Sequence, residues 1–278
     1  MTSHSPIFTG MTFNDKLNAV IRKRNSLVCV GLDIYPERIP AHIAKADDPY
    51  FSFNREIINA TADLVAAYKP NLAFYEALGR EGMDVLRRTL AYIPDDVITI
   101  GDAKRGDIGT TAEKYAEALF DLGFDCVTVN PYLGWDSVKP FAEQEEKGVF
   151  ILCLTSNPSS RDFQYITAGG KTLYKQVAEK AVSWNQNGNI GLVVGATHPS
   201  ELGDVRAAAP DLPFLIPGIG AQGGDLEASV EFGTDKNNAG AVINSSRGIL
   251  YASSGKDFGD ASRKKTIELR DAINRVRS

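Results

Sequence analysis

The sequence predicts an α/β fold, and specifically a single (β/α)8 TIM barrel that spans residues 1–278. Short apolar runs bounded by turn residues recur along the chain, and segments with helical periodicity lie between them. There are eight such runs, which is the strand number of the closed barrel. An open doubly wound sheet shows the same alternation, but GLDIYPER follows the first run where a dinucleotide-binding sheet carries G-x-G-x-x-G.

The predicted strands are short and aliphatic, and turn residues mark their ends. They lie at 27–33, 67–73, 97–103, 125–130, 149–155, 190–195, 213–217 and 240–244. The segments with helical periodicity lie at 53–66, 111–122, 136–146, 172–186, 200–208 and 260–277. Neither a linker nor a change of composition divides the chain, so we expect one domain.

Two connections are long for a barrel. Segment 33–52 is Pro-rich, and segment 220–239 is polar with at most one or two helical turns. Long loops in compact domains are usually lids or binding loops. We therefore expect a lid near 220–239, which follows the seventh predicted strand, on the side where such barrels commonly bind phosphate.

Composition and charge exclude several classes of protein. The chain has 30 Lys and Arg against 35 Asp and Glu, a net charge of −5, whereas nucleic-acid binders are normally basic. Cys29, Cys126 and Cys153 each lie in an apolar run, which predicts buried, reduced thiols. Apolar stretches stay shorter than 18 residues, and the N-terminus lacks the regions of a secretory signal. We expect a cytoplasmic protein that binds neither nucleic acid nor membrane.

Polar residues gather where the predicted strands end. In chain order they are Asp33, Lys69, Asp102, Lys104, Asp107, Asn130, Thr155, Ser156, Thr197, Asn244, Ser245, Ser246 and Arg247. Barrel enzymes carry their chemistry at the carboxyl ends of the strands. This clustering favours the barrel over the open sheet and places a candidate site at that end.

The densest group is Asp102-Ala-Lys104-Arg-Gly-Asp107, which follows the apolar strand VITIG. Side chains alternate along a strand, so Asp102 and Lys104 are expected on the same side. Flanking carboxylates keep a lysine charged and aim it, as a proton donor requires. A solvated charge cluster is the alternative, but the preceding strand and the turn glycines favour a catalytic group.

A second group predicts a phosphate site. PGIGAQGG follows the seventh strand and SSRG follows the eighth, which is where barrels commonly bind phosphate through glycine N–H groups. Glycine turns alone would be weak support. Arg247 adds a guanidinium that can hold a phosphate through two hydrogen bonds.

These residues resemble the orotidine 5'-phosphate decarboxylase family, from about residue 12 to residue 255. GLDIYPER, YKPNLAFYE, GDAKRGDIGTT, LTSNPSS and PGIGAQGGD carry the resemblance, and DAKRGD is typical of a bacterial branch. The resemblance implies decarboxylation of orotidine 5'-phosphate to UMP and CO2, the last step of de novo pyrimidine synthesis, without a metal or other cofactor.

The resemblance also implies roles for single residues. Lys104 corresponds to the donor that protonates C6, Asp102 to the carboxylate that faces the carboxylate of the substrate, and Lys69 to the second lysine of the array. The implied substrate-binding residues are Asp33 for the ribose, Ser156 for the pyrimidine, Gln222 and Arg247 for the phosphate, and Pro217 and Gly223 beside them. Asp107, Ile108 and Thr111 correspond to residues that complete the site of a second subunit, so a homodimer with shared sites is expected.

Two other functions stay open at this point. A metal-dependent sugar-phosphate decarboxylase or aldolase can use the same D-x-K-x-x-D strand, but it needs a carboxylate ligand near the second strand, where Lys69 stands. A non-catalytic nucleotide-binding barrel is the other, and the intact Lys104 argues against it. Turnover of orotidylate with and without a chelator separates the three.

Overall fold

Eight parallel strands close into a barrel in which each strand pairs with its neighbours in the chain, and the last pairs with the first. The strands are β1 Val28–Gly31, β2 Ala67–Lys69, β3 Ile98–Arg105, β4 Cys126–Val129, β5 Gly148–Leu154, β6 Ile190–Val194, β7 Phe214–Pro217 and β8 Ala241–Ser245. This computed structural model describes residues 8, 10–197, 199–219 and 225–278. The predicted closed barrel is confirmed, and the open sheet is excluded.

The helices surround this barrel. They are α1 Phe13–Arg24, α2 Pro49–Thr61, α3 Leu72–Glu76, α4 Gly79–Tyr92, α5 Gly109–Asp121, α6 Trp135–Ala142, α7 Leu173–Trp184, α8 Pro199–Ala208, α9 Leu226–Gly233, α10 Arg247–Leu250 and α11 Phe258–Arg277. A small hairpin, Thr167–Ala168 with Lys171–Thr172, stands before α7. All six predicted helices are present.

Helix α1 was not predicted, and it closes the N-terminal end of the barrel. The Thr12 side chain accepts a hydrogen bond from the Asp15 N–H and so caps the helix. Phe13 is fully buried, and its ring packs edge-on against Phe150 with 6.1 Å between centroids. A side chain at Gly148 would collide with that ring, because an added Cβ would lie 2.4 Å from it. Burial of one such aromatic side chain contributes about 1.5–3 kcal/mol.

The second strand is shorter than predicted. The sequence predicts 67–73, but β2 ends at Lys69. Pro70 has no N–H to give to a neighbouring strand, and the Asn71 side chain accepts a hydrogen bond from Ala73 N–H and caps α3. Lys69 therefore occupies the last strand position, at the rim of the barrel.

The polar segment expected to contain a lid is partly helical. Its residues 226–233 form α9, the crossover helix between β7 and β8, which packs against α8 and α11. The Arg206 guanidinium donates to the carbonyls of Gly233 and Gly240 on either side of the turn that follows. This part of the segment belongs to the barrel wall. Residues 220–224 lie outside the described residues, and a lid there stays a prediction.

The core fills the barrel and the space between strands and helices. Cys29, Cys126 and Cys153 lie in it as free, buried thiols, as their apolar surroundings predicted. In the part of the chain that the structure describes, helices with the length and apolar character to cross a membrane are not found.

Candidate active site

Three charged side chains meet at the carboxyl ends of β2 and β3. The Lys69 Nζ donates to Asp102 Oδ2 at 2.8 Å, and the Lys104 Nζ donates to Asp102 Oδ1 at 2.6 Å. Lys69 is buried, with 3% of its surface exposed, whereas the Lys104 side chain is 48% exposed. One carboxylate is therefore held between a buried ammonium and an ammonium that reaches solvent.

A bulge in β3 sets the direction of Lys104. Gly101 pairs with Val127 and Arg105 pairs with Val129, so residues 102–104 face a single residue of β4. Within this bulge Lys104 takes a left-handed backbone conformation with φ of 48°. The sequence predicted that Asp102 and Lys104 meet through regular alternation. They do meet, but through a bulge of the kind that redirects side chains beside active sites.

Opposite charges fix the protonation of this cluster. Burial alone would raise the pKa of Asp102, but Lys69 and Lys104 hold it well below its ordinary value. Burial alone would lower the pKa of the Lys69 ammonium, but the carboxylates of Asp102 and Asp33 outweigh it and raise that pKa. Near neutral pH Asp102 is therefore an anion and Lys69 a cation, and neither is suited to exchange a proton.

Thr128 on β4 is a site residue that the sequence analysis missed. Its buried hydroxyl accepts a hydrogen bond from the Lys104 backbone N–H at 2.9 Å and donates to Asp102 Oδ1 at 3.1 Å. One signal could have revealed it, because Thr128 is a polar residue within the apolar run CVTV. That Thr128 lies across from the bulge depends on how β3 and β4 pair, which the sequence alone does not show.

Asp33 lies just beyond β1 and belongs to the same cluster. Its charge acts on Lys69, and its Oδ1 is buried without a hydrogen-bond partner among the described residues. The Tyr251 hydroxyl donates to its backbone carbonyl at 3.0 Å and accepts from the Tyr35 N–H at 2.7 Å. A buried carboxylate oxygen with unused capacity is suited to accept a hydrogen bond from a ligand hydroxyl.

The residues implied for a neighbouring subunit stand apart from this cluster. Asp107 Oδ1 accepts a hydrogen bond from the Ile108 N–H, and within the described ranges no ion pair joins Asp107 to Lys69 or Lys104. Ile108 and Thr111 are exposed at the start of α5, Ile108 by 57%. One chain therefore leaves these residues facing outward.

The implied substrate-binding residues are only partly described. Ser156 follows β5 and lies against Gly195, where an added Cβ would come within 2.9 Å of the Ser156 nitrogen. Pro217 ends β7 and pairs with Asn244, and Arg247 is exposed at the start of α10. Gln222 and Gly223 lie outside the described residues.

Cavity volume does not single out this site. A pocket of about 260 Å³ adjoins Lys104, between Gly106 and the exposed Tyr132 and Leu133. A cavity of about 820 Å³ lies at the opposite end of the barrel. Over the described residues, clusters of three or more His, Cys, Asp and Glu side chains able to hold a metal ion are not found.

Comparison with known proteins gives consistent matches over nearly the whole chain. A model of the Orotidine 5'-phosphate decarboxylase / HUMPS family matches residues 26–258. The chain is 53% identical over 272 residues to a Dehalococcoides mccartyi (strain CBDB1) protein named orotidine 5'-phosphate decarboxylase, covering 96% of this chain and 99% of that protein. A protein of the same name from Dechloromonas aromatica (strain RCB) is 50% identical over 272 residues, covering 96% and 100%. The solved Leishmania donovani OMP decarboxylase superposes with a TM-score of 0.84 at 42% identity, covering 96% of this chain and 99% of that one.

Proposed function

This chain belongs to the Orotidine 5'-phosphate decarboxylase / HUMPS family, and we propose that it catalyses the decarboxylation of orotidine 5'-phosphate to UMP and CO2. The observation that carries the proposal is the hydrogen-bonded array Lys69–Asp102–Lys104 at the barrel mouth. It combines a fixed anion with a solvent-reaching ammonium, which are the two groups that this reaction needs from a protein.

The array distinguishes the proton donor from its neighbours. Asp102 is held as an anion and has no proton to give. Lys69 is buried, and its raised pKa keeps its proton in place. Lys104 shares the carboxylate but is half exposed, so it can both approach a substrate and recover a proton from water. We assign the donor role to Lys104.

Lys104 and solvent supply the one proton that the chemical step needs. The bond between C6 and the carboxylate carbon breaks, CO2 leaves, and the electron pair stays on C6. The Lys104 ammonium lies beside the developing carbanion, stabilises its charge and transfers a proton to C6, which gives UMP. The neutral amine then takes a proton from solvent. Preorganised charge of this kind is commonly the largest contribution to catalysis.

Asp102 acts on the substrate before the step. Its carboxylate would face the carboxylate of the substrate, and two like charges about 4 Å apart repel by roughly 4 kcal/mol at an effective dielectric constant of about 20. Departure of CO2 as a neutral molecule relieves this repulsion. The two lysines keep Asp102 in place against it through 2.6 and 2.8 Å hydrogen bonds.

The other substrate contacts follow from the resemblance and from the described geometry. The unpaired Asp33 Oδ1 supports a hydrogen bond from a ribose hydroxyl. Ser156 would contact the pyrimidine, and Arg247 would hold the phosphate together with Gln222. Pro217 and Gly223 would line the same end of the pocket. Arg247 is exposed and available for that contact.

We also propose a homodimer with shared sites. Tyr132, which is 82% exposed, and the exposed Leu133 line the pocket beside Lys104, and Ile108, which is 57% exposed, follows Lys104 by four residues. Large apolar side chains grouped on a surface are typical of protein interfaces. In a dimer formed there, Asp107, Ile108 and Thr111 of one subunit would reach the array of its partner.

The buried, free thiols of this chain suit a reducing compartment, so we place the protein in the cytoplasm.

Turnover of orotidine 5'-phosphate by the purified protein tests the proposal, measured as UMP formation with and without a strong chelator. We expect UMP and CO2 in equal amounts at a rate that the chelator leaves unchanged. Activity that the chelator abolishes and a divalent metal restores would favour a metal-dependent lyase instead. Binding of UMP without turnover would favour a non-catalytic nucleotide-binding barrel.

A further inference from the structure

We infer that Thr128 is a positioning residue for the reaction: its hydroxyl holds the donor lysine in the conformation from which it acts. The inference rests on the proposed function, because it concerns how Lys104 is placed. The carrying observation is the pair of hydrogen bonds from the Thr128 Oγ1, one to the backbone of Lys104 and one to the side chain of Asp102.

These hydrogen bonds close a ring. The Lys104 N–H donates to Thr128 Oγ1 at 2.9 Å, and Thr128 Oγ1 donates to Asp102 Oδ1 at 3.1 Å. Asp102 Oδ1 in turn accepts from the Lys104 Nζ at 2.6 Å. The hydroxyl thus connects the backbone and the side-chain end of the same lysine, and it uses its one donor and one of its two acceptor sites.

The ring coincides with a strained backbone. A non-glycine residue at φ of 48° is unfavourable by itself and persists only where the surroundings determine it. The bulge takes residues 102–104 out of the regular register, and the Thr128 hydroxyl is the partner of the Lys104 N–H there. Without that hydrogen bond the left-handed conformation of Lys104 would be less stable, and the Lys104 Nζ would leave its position.

The burial of Thr128 gives this contact its strength. Its residue surface is 1% exposed, so water cannot readily replace the hydroxyl. A valine of the same shape would leave the Lys104 N–H and Asp102 Oδ1 each short of one partner. The effect should fall on the position of Lys104, because Asp102 stays bonded to the buried Lys69.

The test uses Thr128→Val, which removes the hydroxyl and keeps the volume, together with Thr128→Ser, which keeps the hydroxyl. Misplacement of a reacting group by about 1 Å can cost about 10²-fold in rate, so we expect kcat of Thr128→Val to fall by roughly that factor at 25 °C. The affinity for UMP, measured by calorimetry, should stay nearly unchanged, and Thr128→Ser should recover most of the rate.

Thr99→Val is the matched control. Thr99 is a buried threonine whose hydroxyl also bonds an aspartate, at 2.9 Å from Asp125 Oδ2, but it lies at the other end of the barrel. It should lower the melting temperature without lowering kcat. Should Thr128→Val fail to fold, Thr128→Ser against Thr128→Ala gives the same comparison of a hydroxyl kept and removed.

Three outcomes would overturn the inference: an unchanged kcat in Thr128→Val, a loss of UMP affinity in proportion to kcat, or an equal loss of kcat in Thr99→Val. The wild-type protein in the same assay separates a failure of this inference from a failure of the proposed function. A wild type without turnover refutes the proposed function, whereas an active wild type with an equally active Thr128→Val refutes only the role of Thr128.

Discussion

The two ends of the barrel carry the same chemical motif with different outcomes. At the carboxyl end, Asp102 is bonded by two lysines and by the hydroxyl of Thr128. At the N-terminal end, Asp125 is bonded by Lys16 at 2.6 Å and by the backbone and hydroxyl of Thr99 at 2.9 Å. Each end thus holds a carboxylate that accepts hydrogen bonds from at least one lysine and from a threonine on β3 or β4.

The difference lies in what each end leaves unfinished. Lys104 has a left-handed backbone and a side chain that is half exposed. Lys16 extends from a regular helix, and its side chain is only 15% exposed. The larger cavity nevertheless lies beside Lys16, not beside Lys104. A left-handed backbone and an exposed ammonium paired with a mostly buried carboxylate therefore distinguish the proposed active end better than cavity volume does. The N-terminal face of such barrels serves stability.

The largest expected effect sharpens this comparison directly. Lys104→Ala should lower turnover of orotidylate by on the order of 10⁴-fold or more, because it removes the proposed proton donor and the charge proposed to lie beside C6. Circular dichroism and UMP binding should show a folded protein that still binds nucleotide. Near-normal decarboxylation by this variant would refute the assignment of the donor.

The second prediction tests whether the reactive end is incomplete in one chain. Lys104→Ala and Asp107→Ala should each be inactive alone, but a mixed dimer of the two contains one intact site. At full subunit exchange about a quarter of wild-type turnover should return, since half of the dimers are mixed and each has one working site of two. Verified mixed dimers without any activity would contradict shared sites.

The third prediction concerns the proposed phosphate contact of the same site. Arg247→Ala should lower kcat/KM for orotidine 5'-phosphate roughly 10- to 150-fold, which is about 1.5–3 kcal/mol, the scale of a charge-assisted contact. The phosphate-free nucleoside serves as the control, and its slower turnover should hardly change. An equal loss for both substrates would show that Arg247 does not hold the phosphate.

The fourth prediction addresses the stable end. Lys16→Ala removes the ammonium from Asp125 and should lower the free energy of unfolding by about 1–2 kcal/mol, measured by urea denaturation. At 25 °C kcat should equal that of the wild type, because the contact lies at the far end of the barrel. A fall in kcat as large as that of a mouth variant would break the distinction between the two ends.

The last prediction concerns acid, since its effect is absent at neutral pH and develops only as the pH falls. The folded pKa of Asp102 lies below its unfolded value of about 3.9, so its contribution to stability is full above that value and is lost as pH falls. Between about pH 5 and pH 2 the free energy of unfolding should fall more steeply with pH for the wild type than for Asp102→Asn. The two slopes should differ by at most that of one bound proton, about 1.4 kcal/mol per pH unit. Denaturation series at several pH values measure the slopes, and parallel slopes would contradict the pKa direction.

Much of the barrel follows from local patterns in the sequence. All eight strands are apolar runs bounded by turns, and Lys69, Asp102 and Lys104 are recognisable as polar residues at the ends of such runs. Helix α4 was not predicted from the sequence, because Gly79 and Gly82 lie in its first turn and lower its helix propensity. These features were predictable because each depends on residues that are close together in the chain.

The parts that could not be predicted depend on pairing between distant segments. The bulge at 102–104 exists only relative to β4, and Thr128 becomes a site residue only because it faces that bulge. The unpaired oxygen of Asp33 likewise depends on how β1 and β2 are placed around Lys69. Such contacts are decided in three dimensions, and a single sequence does not record them.

The seam between β1 and β8 has a consequence for folding. It is the pairing that joins the two ends of the strand series, and its partners Cys29 and Asn244 are 215 residues apart in the chain. Closing a loop about seven times longer than that between neighbouring strands costs roughly 1.7 kcal/mol more in chain entropy. During synthesis β1 therefore stays an open sheet edge until β8 has been made. Its sequence VCVG is entirely apolar, so the nascent chain presents an edge prone to aggregation for most of its elongation.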